Sequence, residues 1–140
     1  MSARIFLDTN VLVYAFDDRD RGKQERSWHL LGQAGMEGRS ILSTQVLQEF
    51  YVIVTRKLER PLAQDTAEEA LRLLAKLPVV QVDTPMILSA VRTSRQEKLS
   101  FWDALIIRAA VEGGCSELLT EDFQHGRRIE WLLVRNPFRA

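Results

Sequence analysis

The 140-residue sequence predicts an α/β fold with three layers, helices lying on both faces of a central, mainly parallel sheet of about five strands. Three observations predict it. Short β-like apolar runs alternate with longer helix-like segments, the order that parallel strands and crossover helices require. The first run, Ile5-Phe6-Leu7, is apolar throughout rather than alternating, as in a strand buried on both faces. Four acids, Asp8, Glu49, Asp103 and Asp122, lie far apart in the chain, yet each sits just after a short apolar run or in the helix that follows one. Strand ends of such a sheet share one edge, where ligands bind.

The elements follow in order. Ile5-Phe6-Leu7 is the first strand, and a helix from about Val11 to Phe16 follows, with Asn10 as its N-cap. Asp17 to Gly22 is charged and turn-like. A second helix runs from about Lys23 to Met36, with Trp28, Leu31 and Ala34 along one face, and Gly38 ends it. Ser40-Ile41-Leu42-Ser43 is the second strand. From Gln45 to Leu58, apolar Val46, Leu47, Phe50, Ile53, Val54 and Leu58 recur at helical spacing, with Gln45, Gln48 and Arg56 on the wet face. Asp65-Thr66-Ala67-Glu68 has the capping-box pattern, and Pro78 stops the helix it opens. Val79 to Val82 is the third strand. Thr84-Pro85 starts a helix with proline in its tolerated first turn. Ser100 caps another, which Gly113-Gly114 terminates. Glu117–Thr120 and Ile129–Val134 are the last two strands. No repeat, low-complexity segment or linker divides residues 1–140, which form a single domain.

Each acid has a structural role to weigh against a chemical one. Asp8 fits a helix cap, but Asn10 can perform that capping, leaving Asp8 free to project from the sheet edge. Glu49 borders the apolar face of its helix, and charged groups beside a core usually pair or bind metal. Asp103 stands third after Ser100, as in a capping box, and the helix N-terminus keeps its carboxylate ionised. At the last site either Glu121 or Asp122 can face the cluster. Asp122 is preferred because Thr120, two residues earlier, then points the same way and orients a carboxylate or water.

Composition narrows the chemistry. Lys plus Arg and Asp plus Glu both number 19, so no global field draws the chain to nucleic acid or a membrane, and local patches decide. The single cysteine, Cys115, excludes an internal disulfide and a cysteine-based zinc site and suits a reducing cytosol. No apolar run approaches the roughly 18 residues of a membrane span. The sequence therefore reads as cytoplasmic, soluble and without a membrane partner. Clustered acids without matching bases repel one another unless metal ions neutralise them. Mg²⁺ or Mn²⁺ prefers carboxylate and water oxygens and neutralises charge on a phosphodiester during hydrolysis, whether as one ion or two. The pattern is that of a metal-dependent nuclease, with weak metal binding until substrate phosphate adds its oxygens. Arg127 and Arg128, close after Asp122, are candidate RNA-phosphate ligands, as are Arg56-Lys57 and Arg95 with Lys98. His125 reads as a loop residue, and Trp28 and Trp131 as core or interface residues rather than stacking platforms.

Asp8-Thr9-Asn10 after a strand, then Glu49, Phe101-Trp102-Asp103-Ala104 and Thr120-Glu121-Asp122 in this order, resemble the PIN domain, and more closely the VapC-type ribonuclease toxins of toxin–antitoxin pairs. The resemblance runs from Ile5 to about Phe138. It implies a PIN-like parallel sheet, a Mg²⁺- or Mn²⁺-dependent endoribonuclease, a homodimer, and neutralisation by an antitoxin protein. Asp8 and Asp103 match the principal metal ligands, Glu49 and Asp122 the other acids, and Asn10 a polar residue supporting the first aspartate. Two other readings compete. A non-catalytic RNA- or protein-binding module would keep the acids as structural groups. An aspartate-based phosphatase wants a second acid where Asn10 stands, and a phosphoacceptor domain wants a late lysine, but none follows Lys98.

Overall fold

The computed structural model describes residues 3–139 of the chain. In chain order the elements are β1 (Arg4–Leu7), α1 (Thr9–Val13), a 3-10 turn (Tyr14–Phe16), α2 (Arg21–Glu37), β2 (Ser40–Ser43), α3 (Thr44–Arg56), α4 (Gln64–Leu74), β3 (Val79–Val80), α5 (Thr84–Glu97), α6 (Phe101–Glu112), β4 (Cys115–Leu119), β5 (Arg128–Ile129) and β6 (Leu132–Arg135). The α/β class and the parallel sheet are as the sequence predicts. One six-stranded sheet has the order β3-β2-β1-β4-β6-β5, parallel except where β5 pairs antiparallel with β6. Strand order runs outward from β1 to β3, then returns to place β4 on the other side of β1. Right-handed crossovers therefore put α1–α4 and α5–α6 on opposite faces. The C-terminal ends of β1 and β4 form the switch point at which this class of sheet binds ligands.

Between the layers the core is continuous. Phe6, Leu7, Leu42, Leu118 and Leu119 supply the sheet, and Leu12, Phe50 and Ile107 the helices, all fully buried. Phe50 meets Phe16 edge-on, with ring centroids 5.4 Å apart. Behind α6, Gly113 is required by contact: a Cβ there would lie 3.0 Å from the Ala109 carbonyl oxygen and from a Val80 methyl. Gly38, at φ 68°, ends α2 in the left-handed region, donating its N–H to the Ala34 carbonyl at 3.2 Å.

Several boundaries differ from the sequence reading, each for a local reason. Helix α1 starts at Thr9 because Asp8, not Asn10, is its N-cap, accepting the Thr9 N–H. Helix α2 gains two residues at its start because Asp20 caps it through Lys23 N. Helix α4 begins at Gln64 after Ala63, with no side-chain cap, so Asp65 lies in the first turn and no capping box forms. The third strand stops at Val80 because the Val82 N–H turns away to Thr44 Oγ1 at 3.1 Å. The stretch read as one strand over 129–134 is a hairpin, β5 pairing Ile129 with Leu132 across a two-residue loop. Glu130 takes φ 55° there, and Glu-Trp carries none of the usual turn signals. Gln45, assigned to the wet face, is buried; of the tryptophans read as core or interface, Trp28 is 46% and Trp131 59% exposed, so neither is a fully buried core residue.

Candidate active site

Backbone register brings the first and last acids together. Leu7 pairs with Leu119, and the Asp8 N–H continues the ladder to the Leu119 carbonyl at 3.0 Å. Asp8 and Thr120 thus leave adjacent strand ends side by side. Asp8 Oδ1 accepts the Thr9 N–H at 2.7 Å and Oδ2 accepts the Thr120 hydroxyl at 2.9 Å. The same Thr120 oxygen accepts Asn10 Nδ2 at 3.1 Å and the Asp122 N–H at 3.1 Å. Asn10 Nδ2 also donates to Asp122 Oδ2 at 3.0 Å, while its Oδ1 accepts the Glu121 N–H at 3.3 Å. Thr120 therefore bonds both Asp8 and the Asp122 backbone, whereas Asn10 bonds the Asp122 carboxylate directly and reaches Asp8 only through Thr120.

Two helices deliver the other acids. Ser43, at the end of β2, caps α3 by accepting the Val46 N–H at 3.3 Å, and the second turn of α3 carries Glu49, whose Oε1 accepts the Thr9 hydroxyl at 2.9 Å. Ser100 caps α6 by accepting the Asp103 N–H at 3.1 Å. The two helix starts are pinned together where Gln45 Nε2 donates to the Trp102 carbonyl at 3.2 Å. Asp8, Glu49, Asp103 and Asp122 consequently line one cleft of about 300 Å³.

Glu121 takes no part in that cleft. Its carboxylate accepts Lys23 Nζ at 2.8 Å and the Tyr14 hydroxyl, with the ammonium also 4.9 Å from the Tyr14 ring centroid. Of the two adjacent acids, Asp122 is the one in the cleft. Nor do Arg127 and Arg128 line it. The Arg127 guanidinium is tied to Glu97, with Nη2 2.8 Å from the carbonyl and 3.1 Å from Oε1, and Arg128 lies on edge strand β5. The cations lining the cleft are Arg19 and Lys57. Arg19 forks onto Asp17, with Nη2 2.9 Å from Oδ2; it had read only as part of a charged turn, and no sequence signal marks the turn as folding back. Lys57 makes no side-chain ion pair among the described residues.

The cleft is electrostatically unbalanced. Burial pushes the Asp8 carboxyl up to about 7, against the Thr9 N–H and Thr120 hydroxyl that hold it down; Asp122 and Glu49 add to the rise. Asp103 is raised too, by burial first and by Asp122, against the pull of Ser100. Among the described residues no three acids, cysteines or histidines converge closely enough for one ion to touch three of them.

Thr120 is the shared hub of this arrangement, which makes it testable. Thr120→Val keeps the shape, removes the donor to Asp8 and strands two donors, an expected cost of about 1–3 kcal/mol. Thr120→Ser should retain most of the stability. Equal melting temperatures for the Val and Ser variants would refute that role.

The sequence profile of the PIN domain matches residues 5–129. A search of curated protein sequences found no match. Among solved structures, the chain is similar to the sarcin-ricin-loop-cleaving toxin VapC20 of Mycobacterium tuberculosis, at 19% identity and TM-score 0.65, over 81% of this chain and 86% of that one. It is similar to VapBC2 of Rickettsia felis bound to a promoter DNA fragment, at 18% identity and TM-score 0.66, over 94% and 97%. It also resembles a toxin–antitoxin complex from Klebsiella pneumoniae, at 18% identity and TM-score 0.65, over 99% and 100%. With a profile match covering most of its length and acids from four separate segments gathered at the switch point of its sheet, the chain belongs to the PIN domain family.

Proposed function

We propose that this chain is a divalent-metal-dependent endoribonuclease, the toxin of a toxin–antitoxin pair, with Asp8, Glu49, Asp103 and Asp122 as its catalytic acids. The observation that carries this reading is the cleft itself: four carboxylates from four separate segments line it, and burial, with Asp122 and Glu49 adding to it, holds Asp8 neutral up to about pH 7. Hard oxygen donors with surplus negative charge fit Mg²⁺ or Mn²⁺. Asp8 and Asp103 would hold the ion directly, with Glu49 and Asp122 acting directly or through water. When bound, the metal supplies charge neutralisation on the phosphate and a more acidic water. The chain's own residues set the geometry: Thr120 and Asn10 fix Asp8 and Asp122, Thr9 fixes Glu49, and Ser100 fixes the turn bearing Asp103. Lys57, at the cleft edge, suits an RNA phosphate.

The similar toxin structures support RNA as substrate and an antitoxin protein as partner. An apolar groove between α2 and α4, lined by Leu31, Ala70, Leu73 and Leu77, offers a partner helix an apolar face. An arginine from that partner in the acid cleft would replace the metal with charge-assisted hydrogen bonds. A homodimer completes the reading, with exposed Leu88 and Ile87 on α5 as apolar surface available for it.

The test is cleavage of end-labelled single-stranded and hairpin RNAs with Mg²⁺, Mn²⁺ or EDTA, beside Asp103→Asn. Expected is metal-dependent cutting that the substitution removes. Cutting that persists in EDTA or in Asp103→Asn would overturn the reading. The pH dependence has a definite sign. Metal binding must displace the proton held by Asp8, so apparent metal affinity falls about tenfold per pH unit as pH drops below about 7. Affinity that stays constant from pH 5.5 to 8 would show that Asp8 does not bind the ion.

A further inference from the structure

Beside the acid cleft lies a second groove, of about 370 Å³, that the proposed chemistry leaves unused. Its walls are the outward face of α3 and the first turn of α6, and it shares Gln45, Glu49, Ile53, Lys57 and Trp102 with the acid cleft. Trp102 is 62% exposed although it immediately precedes Asp103, and Val52 opposite is 45% exposed. Its ring meets Phe101 edge-on, centroids 5.2 Å apart, and leaves most of its surface in water beside the acid. Polar groups flank the apolar surface. Gln48 and Lys57 line it. Gln45 is 5% exposed, and its Oε1 has no hydrogen-bond partner among the described residues.

From this juxtaposition we infer that the groove is a nucleobase subsite, in which Trp102 stacks an unpaired base of the RNA strand whose scissile phosphate lies at the acids. The inference rests on the ribonuclease reading and adds to it the residue that grips the strand. The chemistry favours a base over an apolar peptide. The groove opens directly into the carboxylate cleft, so its occupant is continuous with whatever reaches the acids. A lysine stands at the junction for the backbone phosphate, and a flat aromatic face accepts any base. A paired base has no free face for Trp102, so the subsite selects single-stranded or looped RNA.

The test combines binding and kinetics on the full chain. A 2′-O-methyl RNA oligonucleotide, which resists cleavage, is titrated in EDTA while tryptophan emission is recorded. Stacking should quench the parent protein, and Trp102→Phe, which keeps Trp28 and Trp131, should lose that quench. In cleavage assays Trp102→Ala should raise KM between roughly 5-fold and 100-fold with kcat little changed, and Trp102→Phe should recover much of the loss. Cleaving parent protein with an unaltered KM in Trp102→Ala would overturn the subsite and leave the nuclease standing. A quench that persists in Trp102→Phe would do the same. A parent that neither binds nor cuts RNA would remove the nuclease reading and the subsite with it.

Discussion

Asp8→Asn is expected to lower RNA cleavage at least about 100-fold while leaving the protein as stable as its parent, or more so, at pH 8 without metal. The activity loss follows from removing a ligand whose ion stabilises transition-state charge by several kcal/mol. The stability gain follows from burial. Asp8 is held up to about 7 chiefly by loss of solvent, so the folded chain keeps this proton where the unfolded chain, near 3.8, has released it. A carboxyl raised in this way contributes stability at low pH and loses it as pH rises through about 7. At pH 8 the parent carries a buried, uncompensated charge that asparagine does not. Asn also remains a good N-cap, its oxygen able to accept the Thr9 N–H. Melting curves in EDTA at pH 5 and pH 8 check this: the variant should gain on the parent between the two. A variant that loses as much at pH 8 as at pH 5 would show that Asp8 is paid for structurally and carries no strain.

Phe50→Ala should produce the largest loss of stability, about 3–5 kcal/mol, the range for emptying a buried aromatic site. Phe50 is fully buried and meets Phe16 edge-on, so truncation empties a packed aromatic site. For a domain of this size the melting temperature should fall by roughly 10–15 °C. Its neighbour Glu49 offers the contrast. Glu49→Gln removes charge from the cleft but keeps an oxygen for the Thr9 hydroxyl, so it should barely move the melting temperature while reducing cleavage. A melting shift of only a few degrees in Phe50→Ala would mean that α3 is not anchored through this ring. Together the two substitutions separate the helix as scaffold from the helix as carrier of a catalytic group.

Apolar runs and caps made much of this architecture readable in advance. Ser100 announces its helix because capping is a contact within a few residues. Asp8, Glu49, Asp103 and Asp122 could be proposed from their places after apolar runs, since the ends of parallel strands must share an edge. What failed was what distant contacts decide. Gln45 looks solvent-facing by periodicity, yet its amide reaches the Trp102 carbonyl 57 positions away and is sealed there. Arg127 looks free beside Asp122, yet Glu97 holds it.

The sequence by itself determined the α/β class, the alternation of strands and helices and the start of α6 after Ser100, and it singled out four acids as candidates, because backbone propensity, capping and apolar period act over a few residues. Only the tertiary structure decided which neighbour of each pair faces the cleft. Asp122 rather than Glu121 enters it because Lys23 and Tyr14 capture Glu121. Asp8 rather than Asn10 caps α1 because Asn10 is drawn to Thr120 and Asp122. Arg19 and Lys57, rather than Arg127 and Arg128, line the cleft. In the first two cases, nearby residues with similar local preferences are separated by partners far away in the chain, and the energy of those contacts exists only once the sheet has closed.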